Sequence, residues 1–185
     1  MNLPNKITVF RMFIAPIFLA VFLLNLPHSN LFAAIIFIIG AITDAIDGNL
    51  ARKNNMVTNF GKLLDPIADK MLVTACMLGF LKFNICNIWI VMIILTREFA
   101  VTSLRLIASA QGVVIPANIF GKIKTVAQMI SSIAVLILCE INTDFSLGLN
   151  ISLISNILMA VTAVFAVVSG IIYFIKGFNL IDIKK

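Results

Sequence analysis

Long apolar stretches alternate with short polar breaks along this chain. The stretches cover residues 7–26, 31–52, 62–82, 86–109, 122–141 and 149–176. Each has the roughly 20 residues that a helix needs to cross a hydrocarbon layer, so the pattern predicts six membrane-spanning helices. The breaks carry turn chemistry: Asn25-Leu26-Pro27-His28-Ser29-Asn30, Lys53-Asn54-Asn55, Gln111-Gly112 through Pro116-Ala117-Asn118, and Asn142-Thr143-Asp144. Lys6 and Arg11 at the head of an apolar run look like a signal peptide. No small-x-small cleavage site precedes Pro27, so the first stretch is expected to stay as a span.

Composition removes the soluble alternatives. The 185 residues are 61% apolar and 12% charged, against about 45–50% and about 25% in an ordinary soluble domain. A core of this size cannot hide that excess and still wear a polar coat. Cys76, Cys86 and Cys139 are odd in number and at no metal-ligand spacing, which excludes a disulfide scaffold. The net charge is +6, but no continuous basic stretch with interleaved aromatics suggests nucleic acid as a partner. The charge reports orientation instead. With six spans, both termini share one side with the second-third and fourth-fifth connections. Of the 14 Lys and Arg, only Lys82 falls on the other side. The positive-inside rule assigns the crowded side to the cytoplasm. The fold class is therefore an all-α integral membrane protein in the lipid bilayer, with six transmembrane helices and both termini cytoplasmic.

The chemistry lies in carboxylates that a purely structural span would not carry. Asp44, Asp47, Asp65 and Asp69 sit in or beside the second and third spans among Ile, Leu and Met. A charge there costs several kcal/mol and is a functional candidate by default. Asp44 and Asp47 are three apart and share a helix face. Gly48 follows Asp44 by four, Arg52 follows Gly48 by four, and Ala51 follows Asp47 by four. Gly61, Asp65 and Asp69 form a second stripe at four-residue spacing. The short connection from Lys53 to Phe60 makes the two spans a hairpin, so the stripes can face each other near the cytoplasmic headgroup level. Four like charges need cations between them. Hard oxygen donors with no His or Cys nearby favour Mg²⁺ or Mn²⁺ over zinc. Four carboxylates can hold two such ions, an arrangement suited to displacement at phosphorus. Gly48 and Ala51 allow a ligand close to the backbone, and Arg52 can fork onto a phosphate.

The run Asp44-Ala-Ile-Asp47-Gly48-Asn-Leu-Ala51-Arg52, eight further residues, then Gly61-Lys-Leu-Leu-Asp65-Pro-Ile-Ala-Asp69 resembles the signature of the CDP-alcohol phosphatidyltransferase family at all its fixed positions and both gap lengths. The resemblance covers nearly the whole chain and implies one transmembrane catalytic domain over residues 1–185, with its active site on the cytoplasmic side. Members displace CMP from a CDP-linked lipid or alcohol. The resemblance implies that Asp44, Asp47 and Asp65 ligate two divalent cations and that Asp69 is both ligand and general base. Gly48 and Arg52, beside Ala51, would hold the CDP portion of CDP-diacylglycerol, with Thr58, Asn5 and Thr8 as further contacts. It also implies a homodimer in a bacterial inner membrane.

Other segments are similar to the branch of the family whose acceptor is sn-glycerol 3-phosphate: Leu3-Pro4-Asn5 through Arg11, Leu64 through Lys70, Thr96-Arg97-Glu98, Ser103-Leu104-Arg105, and Gly121-Lys122-Ile123-Lys124-Thr125. The product would be phosphatidylglycerophosphate. A dianionic acceptor needs cations beyond those that serve the metals and CDP. Arg97, Arg105, Lys122 and Lys124 are expected at the cytoplasmic ends of the fourth and fifth spans, and the acceptor is assigned to them. Inositol phosphate, serine or phosphatidylglycerol are alternative acceptors. A cation channel or transporter would also place carboxylates in the membrane, but would leave Gly48, Ala51 and Arg52 at helical spacing without a purpose. His28 is expected in a turn on the far side, Glu140 and Asp144 as caps of a connection, and Trp89 and Tyr173 as interfacial anchors or packing.

Overall fold

The computed structural model describes the backbone of residues 3–24, 26–53, 59–113, 115 and 118–178, and side chains among them except 3–7, 44–53, 59–63, 65 and 178. The described residues form six helices and no strand: α1 (Leu3–Leu23), α2 (Ser29–Lys53), α3 (Asn59–Lys82), α4 (Ile88–Ala110), α5 (Ile119–Phe145) and α6 (Ile151–Phe178). Each matches one apolar stretch, with ends moved by a few residues. α1 begins at Leu3 rather than residue 7 because Pro4 sits in the first turn, where its missing N–H removes no intrahelical bond. α1 and α3 run on through Pro16 and Pro66.

Local signals stop and start the helices. α4 starts at Asn87, whose extended backbone (φ −71°, ψ 135°) lets its side chain accept the Trp89 N–H at 2.9 Å. It ends where Gly112 takes φ +73°. Gly112 N–H then donates to Ser109 O at 3.1 Å and Val113 N–H to Ala108 O at 2.9 Å. These two bonds satisfy carbonyls that the helix end would leave open. α3 ends the same way around Asn84 (φ +55°), with Ile85 N–H donating to Phe80 O at 2.8 Å.

Packing divides the chain into two compact units, Met1–Ile85 with Ser132–Ile151, and Cys86–Ser131 with Ser152–Lys185. In the first unit α1 packs against both α2 and α3. Phe18, Phe22, Phe37 and Phe80 are fully buried. Phe18 stacks on Phe22 at 5.9 Å and meets Phe37 edge-on at 5.7 Å, and Phe22 meets Phe83 edge-on at 5.1 Å. Such offset and edge contacts are the geometry that aromatic quadrupoles favour. At the start of α2, Glu140 accepts the Leu31 N–H at 3.3 Å and lies 2.7 Å from His28 Nδ1. It does cap a helix, but the cap is on α2 rather than on its own connection. The second unit gathers Val101, Leu104, Ala108, Ile115 and Tyr173, with Val113 packed against them.

α5 over Ile119–Phe145 and α6 over Ile151–Gly177 are long and apolar enough to cross a membrane, and Thr8–Leu23 and Ser29–Thr43 are shorter apolar segments. Large apolar side chains face outward all along the helices: Phe13 is 63% exposed, Phe145 71% and Trp89 73%. Apolar surface on this scale belongs against lipid rather than water. An exposed Trp89 near a helix start fits an interfacial anchor, whereas Tyr173 is buried.

Gly79 marks the tightest helix contact around the Phe cluster. A Cβ there would lie 2.5 Å from Phe22 Cδ1 and 2.7 Å from Cε1. Alanine would add helix propensity of about 0.5–1 kcal/mol, but forcing a buried ring aside costs about 1–3 kcal/mol. Gly79→Ala is therefore expected to lower the thermal unfolding midpoint in detergent, and an unchanged or raised midpoint would contradict this packing.

Candidate functional site

The first unit carries the aspartate motif on two antiparallel helices. A pocket of about 380 Å³ is lined by Ser29 and Asn30 from the start of α2 and by Phe83 and Ile85 from the end of α3. Near the middle of both helices a Cβ on Gly40 would lie 2.6 Å from Leu72 Cδ2. From this contact, equal steps along antiparallel helices bring residues 44 and 47 level with residues 68 and 65. The hairpin thus puts both halves of the motif at one height, about one to two helical turns beyond the Gly40–Leu72 contact.

The side chains of Asp44, Asp47, Gly48, Ala51, Arg52 and Asp65 lie outside the described residues, as does that of Asn5 on α1 and all of Thr58. Asp69 is described. Its carboxylate is partly exposed, and the neighbouring Lys70 ammonium approaches its two oxygens at 3.2 and 3.3 Å. Ala68 beside it is fully buried. The carboxylate therefore sits at the rim of a packed helix face. Thr8 is buried on α1, and Arg11, one turn further, is buried as well. Arg11 closes the Leu3–Arg11 segment that the sequence resemblance singled out, without a role of its own there.

The four cations assigned to the acceptor belong to the second unit. Arg97 does not lie at a helix end as expected. It is near the middle of α4, and its Nη2 donates to Ser169 Oγ at 2.9 Å. The guanidinium carbon lies 5.6 Å from the centre of the Tyr173 ring, within cation–π range. Tyr173 Oη accepts the Asn118 N–H at 2.9 Å. Glu98 lies 3.6 Å from Arg97 Nη1. Lys124 is fully buried, and its ammonium donates to Glu98 Oε1 and Gln128 Oε1. Buried charges on apolar helices are found paired, and here Arg97 near the middle of α4 and Lys124 in the second turn of α5 both meet Glu98. Arg105 and Lys122 are exposed.

Among the described residues, one further group brings potential metal donors together. One atom each of His28, Glu140 and Asp144 lies within 4.8 Å of the others. His28 and Glu140 are 112 positions apart, and sequence spacing could not have paired them. This group lies at the start of α2, away from the aspartate motif at the other end of that helix, and Glu140 already serves the Leu31 N–H. As a donor set, the four aspartates suit hard divalent cations: they are all-oxygen, paired at helical spacing and level on neighbouring helices.

Comparison with known proteins gives the family. The sequence profile of the CDP-alcohol phosphatidyltransferases matches residues 1–168. A Bacillus subtilis protein described as CDP-diacylglycerol–glycerol-3-phosphate 3-phosphatidyltransferase is 43% identical over 191 aligned positions, covering 96% of each chain. A Rickettsia bellii protein of the same description is 35% identical, covering 94% of this chain and 93% of its own. One from Wigglesworthia glossinidia brevipalpis is 36% identical over 74% of this chain and 77% of its own. With the signature intact on an antiparallel helix pair and a match over most of its length, the chain belongs to the CDP-alcohol phosphatidyltransferase family.

Proposed function

We propose that this protein transfers the phosphatidyl group of CDP-diacylglycerol to sn-glycerol 3-phosphate, giving phosphatidylglycerophosphate and CMP. The near full-length similarity to proteins described by that activity carries this assignment. The cations of the second unit support it, because a dianionic acceptor needs positive partners that serine would not. The chain works as a multi-pass protein of a bacterial inner membrane. It has six spans, both termini in the cytoplasm and its active site on that side. Exposed apolar faces are left for lipid and for a second copy in a homodimer.

In this mechanism Asp44, Asp47, Asp65 and Asp69 hold two divalent ions, Mg²⁺ or Mn²⁺. When bound, such ions polarise the phosphates and offset the charge that develops on the departing CMP. Arg52 binds the pyrophosphate, while the backbone at Gly48 and Ala51 admits it closely. Asn5, Thr8 and Thr58 line the nucleotide side. The acyl chains stay in lipid, so the lipid substrate enters sideways from the cytoplasmic leaflet. Arg97, Arg105, Lys122 and Lys124 draw in the acceptor phosphate, with Arg105 and Lys122 meeting it first because they are exposed. Asp69 takes the proton of the C1 hydroxyl. That oxygen bonds to the phosphorus bearing diacylglycerol, and the bond to the CMP oxygen breaks. Most of the acceleration comes from positioning and charge neutralisation.

Incubating the detergent-solubilised protein with CDP-diacylglycerol and glycerol 3-phosphate should yield phosphatidylglycerophosphate by mass, with matching CMP. Chelation should stop both, and added Mg²⁺ or Mn²⁺ should restore them. Formation of the serine or inositol phosphate product instead would reassign the acceptor, and no CMP release under any metal would exclude a transferase. Asp69→Asn should lower kcat by about 10²–10⁴-fold, the usual contribution of a positioned base, and near-normal turnover would remove that role. For orientation, a cysteine replacing exposed Lys82 should react with a membrane-impermeant maleimide in whole cells. One replacing exposed Gln111 should react only after permeabilisation. Native Cys76 and Cys86 are buried and should stay quiet. The reverse labelling would invert the topology.

A further inference from the structure

Among the described residues of the second unit there are five cations, Arg97, Arg105, Lys122, Lys124 and Lys176, and one carboxylate, Glu98. That carboxylate stands between the two buried cations. It accepts from the Lys124 ammonium and lies 3.6 Å from Arg97 Nη1. The two cations depend on it unequally. Arg97 has independent supports in Ser169 and the Tyr173 ring. Its path is also confined by glycine backbone on two helices: a Cβ on Gly170 would lie 3.2 Å from Arg97 Cγ, and one on Gly121 would lie 3.4 Å from Nη2. Lys124 has a long flexible stem and a compact ammonium. It is fully buried, and Glu98 supplies a full counter-charge where Gln128 offers only an amide oxygen. A buried ammonium stripped of its carboxylate either loses its proton or swings away.

We propose that Glu98 is a positioning residue for the acceptor: it holds Lys124 charged and in register beside a rigid Arg97, and affinity for an anionic acceptor depends on that arrangement. The proposal rests on the assignment of Arg97 and Lys124 to the acceptor phosphate made above. Glu98 itself touches neither substrate. It acts through the two cations, so its loss is felt in capture of the acceptor rather than in the handling of the nucleotide lipid.

The test is steady-state kinetics on the full chain in detergent, with CDP-diacylglycerol and glycerol 3-phosphate varied separately. Glu98→Gln should raise the acceptor KM by about tenfold or more, with kcat within about threefold and the KM for CDP-diacylglycerol unchanged. Glu98→Asp, which keeps the charge, should recover part of the affinity. Gln128→Met removes another partner of the Lys124 ammonium at similar volume and should raise the acceptor KM in the same direction. An acceptor KM within about twofold of wild type in Glu98→Gln overturns the proposal. If Glu98→Gln does not fold, Gln128→Met decides: an unchanged acceptor KM overturns the proposal and a raised one supports it. A wild-type protein that makes no phosphatidylglycerophosphate removes the assigned activity itself. A wild type that makes it beside a kinetically normal Glu98→Gln removes only the role of Glu98.

Discussion

A charge carried on an apolar helix must be answered by another charge, and much in this protein follows from that requirement. Glu98 is bracketed by Arg97 and Lys124, although Lys124 comes 26 positions later on another helix. Arg97 is further answered by an aromatic face and a hydroxyl from α6. The proposed mechanism has the aspartates of α2 and α3 meet the same requirement in the opposite sense, with divalent cations set between like charges.

Rigid apolar packing makes such placements lasting. The phenylalanine cluster joins α1 to α2 and α3, and Gly79 lets the Phe22 ring lie directly on the α3 backbone. The hairpin of α2 and α3 therefore has a register, and a register is what brings two sequence motifs to one height. Phosphoryl transfer asks little covalent chemistry of the protein and much positioning. In the proposed mechanism the α2–α3 pair serves the nucleotide end and the cations around Glu98 serve the acceptor end.

Much of this was legible from one-dimensional spacing. Six apolar stretches became six helices, because burying a backbone in an apolar medium leaves few options besides the helix. Helix ends shifted where local backbone chemistry overrode hydropathy, as at Pro4 and at the Asn87 cap. The aspartate motif could be read because its members are close in sequence, at intervals of three and four that one helix face enforces. Arg97 was placed wrongly at a helix end. Hydropathy treats every arginine as a cost to be pushed outward, and cannot register the hydroxyl and aromatic face that α6 brings to this one.

The sequence alone determined helix number, the spacing of the carboxylates and the family, since each depends on neighbours within a few turns. Only the tertiary structure decided that Lys124 is buried against Glu98, that Tyr173 packs against a guanidinium, and that His28 meets Glu140 across 112 positions. Those pairings join residues far apart along the chain. They are chosen by how helices pack, and no local pattern of apolar and polar positions encodes them.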